Sequence, residues 1–190
     1  MAAIAWDAAT WLNPPPDMRT DGDDLLVTTG AKTDLWRTTG CGEVRDTGHA
    51  LLVDFPVGAR VEVGFVAELT QLYDQAGVLV RVDPSVWCKA GIELNDGMPQ
   101  VSTVVTHGVS DWSQAPAPDW SGRPVSMRVS RVGDALTVDA RVDNGDWRMI
   151  RLAPLAPDAI ATAGPYCCSP VGSGLAVRFT RFAIQPADNT

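Results

Sequence analysis

Apolar side chains recur at every second position through most of this chain, and helical spacing is nearly absent. A period of two sends successive side chains to opposite faces of a strand, so such a row marks one face turned to a core. Leu25, Val27 and Thr29 alternate after the turn-like Asp21-Gly-Asp-Asp24, and Leu51, Val53 and Phe55 alternate before Pro56. Val61, Val63, Phe65 and Ala67 alternate against Glu62, Gly64 and Glu68. Ala76, Val78, Val80 and Val82 form an unbroken apolar row, and Val125, Met127 and Val129 alternate against Ser126, Arg128 and Ser130. Each run predicts a half-buried strand.

Residues 124–152 read as a three-strand meander. Gly133-Asp134 separates the first two strands, and Asp143-Asn-Gly-Asp146 separates the second from Trp147-Arg-Met-Ile-Arg-Leu152. The Asn-Gly pair is a hairpin signal because both residues tolerate positive φ. Near the C-terminus Val177 and Phe179 share one parity while Phe182 and Ile184 share the other. That slip predicts a β-bulge at Thr180-Arg181 or a strand buried on both sides. Ser110-Asp-Trp-Ser113 reads as a loop, as does Gln114 to Pro124. With about eleven candidate strands and short breaks, the prediction is all-β: a two-sheet antiparallel sandwich or barrel over residues 1–190 as one domain.

Composition narrows the function classes. A formal net charge of −8 opposes a general nucleic-acid footprint or binding to anionic membranes. Met1-Ala-Ala-Ile-Ala, followed by Trp6 and Asp7, lacks a secretory pattern, and a cytoplasmic location is expected. Cys41, Cys88, Cys167 and Cys168 match no zinc spacing, and the adjacent pair should point to opposite faces, so reduced and mostly buried thiols are expected. With only His49 and His107, histidine-rich metal sites and His triads lack support, and Asp21-Gly-Asp-Asp24 lacks the full calcium-loop spacing. No cofactor and no metal are expected. Seven tryptophans exceed ordinary usage, and Trp147 is the one expected in the core.

Candidate chemistry lies between Tyr73 and Ser113. On the strand around 75–83 the even positions are apolar, which sends Gln75, Gly77, Leu79, Arg81 and Asp83 to the other face. On the next strand Cys88, Ala90, Ile92 and Leu94 are apolar or small, which sends Trp87, Lys89, Gly91 and Glu93 outward. The turn Asp83-Pro-Ser-Val86 is short enough for antiparallel neighbours. Their core faces coincide, and so do their polar faces. That shared face carries Gln75, Arg81, Trp87, Lys89 and Glu93, with Gly77 and Gly91 leaving open floor. A ligand groove accounts for the aromatic and the glycines, as would a covering loop; solvated strand surface with a Lys89–Glu93 pair is the alternative. Trp36, Asp111 and Trp112 could reach the same groove. For Val101 to Thr106 the pattern does not decide which row faces it.

These clusters resemble a family of unknown function related to the fungal regulator-of-enolase protein. The matching residues are Tyr73-Asp-Gln-Ala-Gly77, Val80-Arg-Val82, Trp87-Cys-Lys-Ala-Gly-Ile-Glu93, Ser102-Thr-Val-Val-Thr106 and Ser110-Asp-Trp-Ser113. The tail Gly164-Pro-Tyr-Cys-Cys-Ser-Pro170 with Val177-Arg-Phe179 and Phe182 also fits. The resemblance covers roughly residues 5 to 185. It implies a concanavalin A-like lectin/glucanase jelly roll with one concave sheet, with Gln75, Lys89 and Glu93 on the concave side. It implies no established activity.

Glycosidases of that fold usually carry two carboxylates on one concave strand, whereas the comparable strand here offers Glu93 alone; Asp111 or Asp83 could be the second, but the sequence does not fix their distance from it. Lys89 beside Glu93 should also lower its pKa, the wrong direction for a general acid. The reading therefore favours a noncatalytic binding module over an enzyme. Its expected ligand is a small polar molecule: sugar rings pack their C–H faces on aromatics while charged and amide groups bond the hydroxyls. Trp87, Trp112 and Trp36 would stack, and Gln75, Arg81, Lys89, Glu93 and Asp111 would orient. Arg81 and Lys89 would also admit an anionic sugar derivative. A protein-interaction or metabolic regulatory role, with a protein partner, and a glycoside hydrolase using Glu93 are the alternatives.

Overall fold

The computed structural model describes residues 1–185. In chain order its strands are β1 (Ala2–Ala3), β2 (Thr10–Leu12), β3 (Asp17–Asp21), β4 (Asp24–Thr28), β5 (Leu35–Arg37), β6 (Val44–Asp46), β7 (His49–Asp54), β8 (Arg60–Ala67) and β9 (Gln75–Asp83). Then come β10 (Val86–Asn95), β11 (Met98–His107), β12 (Val109–Pro116), β13 (Val125–Val132), β14 (Ala135–Val142), β15 (Arg148–Pro154), β16 (Thr162–Cys168) and β17 (Ala176–Gln185). One sheet runs β15-β14-β13-β8-β17-β4-β3, with β1 also on β17; the other runs β12-β11-β10-β9-β16-β7-β2. The pairings are antiparallel throughout. β5 and β6 form a separate hairpin.

The alternating rows meet between the sheets. Val61, Val63 and Phe65 of β8 and Val125, Met127 and Val129 of β13 face Ala76, Val78 and Val80 of β9 and Ala90 and Ile92 of β10 in one apolar cluster. The all-β sandwich is as the alternation predicts, and its jelly-roll class is as the family resemblance implies. The phase slip is a bulge between Phe179 and Arg181, which lets Phe179 and Phe182 both enter the core. Cys167 lies in that core and Cys168 on the opposite face of β16; all four cysteines are free and Cys41 alone is exposed.

Four local readings change. Ser110-Asp-Trp-Ser113 is not a loop but part of β12, which also takes in Gln114 to Pro116. The preceding turn is tight enough, with Gly108 at φ 77°, to send the chain straight back along β11. The Asn144-Gly145 signal does not form a positive-φ pair; Asp143 takes the left-handed conformation at φ 50°. Finally, Trp147 is outside the core, held on the outer face between the Arg128 and Arg141 guanidiniums, each 4.3 Å from its ring. Cation–π contact with two guanidiniums satisfies that ring without burying it in the core.

Candidate functional site

The floor of the site is the face of the seven-stranded sheet turned away from the sandwich core. In register, Glu93 stands opposite Gln75, Lys89 opposite Leu79, and Trp87 opposite Arg81. On β11 Lys89 meets Val104 and Gly91 meets Ser102, and on β12 Val104 meets Trp112 and Thr106 meets Ser110. Ser102, Val104 and Thr106 are therefore the row of β11 that faces the site. Gly77 and Gly91 face each other across β9 and β10. A Cβ on Gly91 would lie 2.0 Å from the Ala76 carbonyl oxygen, and one on Gly77 would lie 2.0 Å from that of Ala90. Here glycine is required by close backbone approach.

The β5–β6 hairpin folds over part of this face and divides it. Leu35 inserts with Leu79, Trp87, Val104, Tyr166, Cys168 and Ala50 into a second apolar cluster, and Trp87 is 3% exposed there. Arg81 donates through both terminal nitrogens to the Asp46 carboxylate of β6, each at 2.8 Å. Arg37 N–H donates to Ser110 Oγ at 2.9 Å, and its Nε to the Gly108 carbonyl. The parity argument puts Trp87 and Arg81 on this face correctly. Neither lines the cleft, because the hairpin covers one and ion-pairs the other.

Beyond the hairpin the face stays open as a cleft of about 1350 Å³. Gln75, Lys89, Glu93, Trp36 and Trp112 line it together, as do Asp34, Tyr73 and Ser110. Asp111 borders it, but its register partner is Val105, on the opposite face, and its carboxylate pairs with Arg151 at 3.0 Å. That carboxylate is turned away from the floor.

Glu93 is held by a hydrogen-bond chain running across the sheet. Trp112 Nε1 donates to Ser102 Oγ at 2.9 Å, Ser102 Oγ to Glu93 Oε2 at 2.8 Å, and Gln75 Nε2 to Glu93 Oε1 at 3.1 Å. Tyr166 adds a longer 3.4 Å contact to Gln75 Oε1. The donors all point toward Glu93, which suits its carboxylate form. Burial nevertheless outweighs them: it pushes the Glu93 carboxyl above its ordinary value despite the opposing pull of Lys89 and Ser102. The expectation that Lys89 lowers this pKa omitted that desolvation.

Lys89 does not pair with Glu93. Its ammonium donates to Asp34 Oδ1 at 3.1 Å, an oxygen that also accepts the Leu35 N–H at 2.8 Å. Burial pulls the Lys89 pKa down, but Asp34 and Glu93 together reverse this and leave it raised. The group is a fixed cation at neutral pH. Among the described residues Asp34 is its one hydrogen-bond partner and the Trp87 ring lies 5.9 Å from Nζ, so two of its three N–H donors have no protein acceptor on the cleft wall.

The aromatic wall has three members. Trp112 meets Trp36 edge to face at 6.3 Å and Tyr73 at 6.2 Å. Trp36 Nε1 donates to the Thr39 carbonyl, so both indole N–H groups are already used and the rings offer apolar faces. Tyr73 sits at φ 65°, an uncommon conformation for a bulky residue, which costs on the order of 1–3 kcal/mol. It is held there by its N–H to the Leu94 carbonyl and by the next residue, Asp74, whose wholly buried carboxylate accepts from Thr70 N, Gln71 N and Ser169 Oγ.

Asp34, Tyr73 and Ser110 line the cleft without having been singled out as site residues, and Ser102 was missed as the residue that holds Glu93. Tyr73 heads the cluster that also holds Gln75, which was its available signal. Asp34 flanks Trp36, but only the hairpin's fold-back brings it to Lys89. No three His, Cys, Asp or Glu side chains converge as a metal site among the described residues.

A two-sheet jelly roll with a lined cleft on its concave face is the architecture of concanavalin A-like lectin and glucanase folds. A legume lectin-like domain from Entamoeba histolytica superposes with a TM-score of 0.62 at 10% identity, over 94% of this chain and 90% of that one, a likeness of fold alone. The chain belongs to the family described as "Protein of unknown function (DUF1349)", which matches residues 11–187. It is 37% identical over 175 residues to Regulation of enolase protein 1 of Saccharomyces cerevisiae, covering 92% of this chain and 88% of that one. A crystal structure of a functionally unknown protein from Saccharomyces cerevisiae matches with a TM-score of 0.90 and 35% identity, over 96% of this chain and 98% of that one.

Proposed function

We propose that this protein is a noncatalytic binding module that holds a polar small molecule, a carbohydrate, in the cleft of its concave sheet. The observation that carries this reading is Lys89. Burying an ammonium is costly unless its donors are used, and this one has a single hydrogen-bond partner, with the Trp87 ring 5.9 Å away, while lining a cleft that also holds the Asp34 and Glu93 carboxylates. The Trp36, Trp112 and Tyr73 rings next to it suit the C–H face of a sugar. Lys89, Glu93 and Asp34 would bond hydroxyls, while Gln75 would act through Glu93, its amide nitrogen being committed to Glu93 and the Tyr73 carbonyl.

A glycan-binding screen with calorimetry of the hits tests the reading. Saturable binding that is lost in Lys89→Ala and weakened in Trp112→Ala, with folding intact by circular dichroism, is the expected outcome. The relative named for regulation of enolase favours one further reading, a regulatory protein acting through a protein partner. Absence of any small ligand, with capture of one specific protein that the same substitutions release, would select it.

A further inference from the structure

Resting on the proposal that the cleft holds a sugar, we infer that it selects a neutral sugar unit with adjacent hydroxyls and rejects uronates and sugar phosphates. The cations that made an anionic ligand plausible are already committed. Arg81 is clamped bidentately to Asp46 and lies outside the cleft. Arg45, on the cleft wall, is paired with Glu43. Lys89 is bound to Asp34 and shares the cleft with the Glu93 carboxylate. Lys32 remains, at the margin of the cleft on the loop before the hairpin. The floor thus carries one ammonium and two carboxylates.

The direction of each hydrogen bond sharpens the argument. The Ser102 proton goes to Glu93, the Gln75 amide donates to Glu93 and the Tyr73 carbonyl, and both indole N–H groups are used internally. Besides Lys32 and the Tyr73 hydroxyl, what remains for a ligand is two N–H donors on Lys89 with acceptor lone pairs of Glu93 and Asp34 in the same cleft. A hydroxyl both accepts and donates, so adjacent hydroxyls can accept from Lys89 while donating to the two carboxylates. A ligand carboxylate or phosphate brings no proton to donate and faces two like charges in a poorly hydrated setting, where like-charge juxtaposition is strongly unfavourable.

The experiment is a glycan array carrying neutral, uronate-bearing, sulfated and phosphorylated glycans, followed by calorimetry of matched neutral and uronate pairs with the wild type, Glu93→Gln and Asp34→Asn. Neutral glycans are expected to bind at least about tenfold more tightly than their acidic counterparts, and each variant is expected to narrow that ratio. Acidic glycans binding equally well or better would overturn the inference while leaving a sugar-binding cleft in place. So would a ratio unchanged in both folded variants, because the two carboxylates would then not be its source. No glycan bound by folded wild-type protein would overturn the inference and the sugar-binding proposal together.

Discussion

Replacing Lys89 with methionine keeps most of the side-chain volume and removes the ammonium. Asp34 and Glu93, both largely buried, would then face each other's field with no cation between them. Breaking a buried pair by deleting one partner costs about 3–5 kcal/mol. The open cleft lets water reach the pair, so the lower end, about 3 kcal/mol, is the expected loss at pH 7. With a urea m-value of about 2 kcal/mol/M, the midpoint of unfolding should fall by about 1.5 M. The loss should shrink as the pH falls from 7 toward the ordinary glutamate value of 4.5, because Glu93, raised above that value, takes up its proton before an ordinary glutamate does and removes one of the opposed charges. In the double variant with Asp34→Asn, the combined loss should be smaller than the sum of the single losses by at least about 1 kcal/mol. A Lys89→Met loss under about 1 kcal/mol, the size of an exposed surface pair, or strict additivity with Asp34→Asn, would refute the buried-triad account.

Glu93→Gln reports on the raised carboxyl pKa. A group whose folded pKa is raised contributes stability below its unfolded value and loses it as pH rises through the folded value. The variant should therefore gain on the wild type as the pH rises above about 4.5, which thermal melts across pH 4–8 would show. Gly91→Ala forces a Cβ to within 2.0 Å of the Ala76 carbonyl oxygen. It should cost at least about 3 kcal/mol or prevent folding, as read by denaturant titration. In a thiol-titration assay the native protein should react at Cys41 alone, since burial pushes the Cys88 thiol up to about 12 and raises Cys167 and Cys168 as well; the other three should appear on adding denaturant.

Much of the sandwich was legible because period two is a local signal. A row such as Ala76, Val78, Val80 and Val82 must face a core, and that fixes what its other face carries. The same logic put Gln75, Lys89 and Glu93 on one surface before any contact was known. The signal failed where the informative residues were not in a row. β2, β5 and β6 are three residues long, too short to show alternation, and β5–β6 decides what covers the concave face. Trp147 looked like core because it is large and apolar, but two arginines from neighbouring strands supply its packing on the outside. Ser110 to Ser113 looked like a loop because its polar residues alternate at a sheet edge, where side chains are less apolar than in the middle.

The hairpin makes the cleft a composite of local and distant parts. Alternation reports which face a side chain takes; it says nothing of what lies over that face. Half of the concave surface becomes a second small core under Leu35, which is why Trp87 is buried and Arg81 is neutralised. The other half stays open, and the same hairpin furnishes it with Asp34 and Trp36. The docking of the cover and the chemistry of the cleft therefore share residues: Asp34 accepts the Leu35 N–H that starts β5 and the Lys89 ammonium that forms the floor. A charge introduced for binding alone could be lost without cost to the fold. Lys89 joins floor to cover and at the same time lines the cleft, so its position is constrained by stability, and on the proposed reading its two remaining donors would serve a ligand.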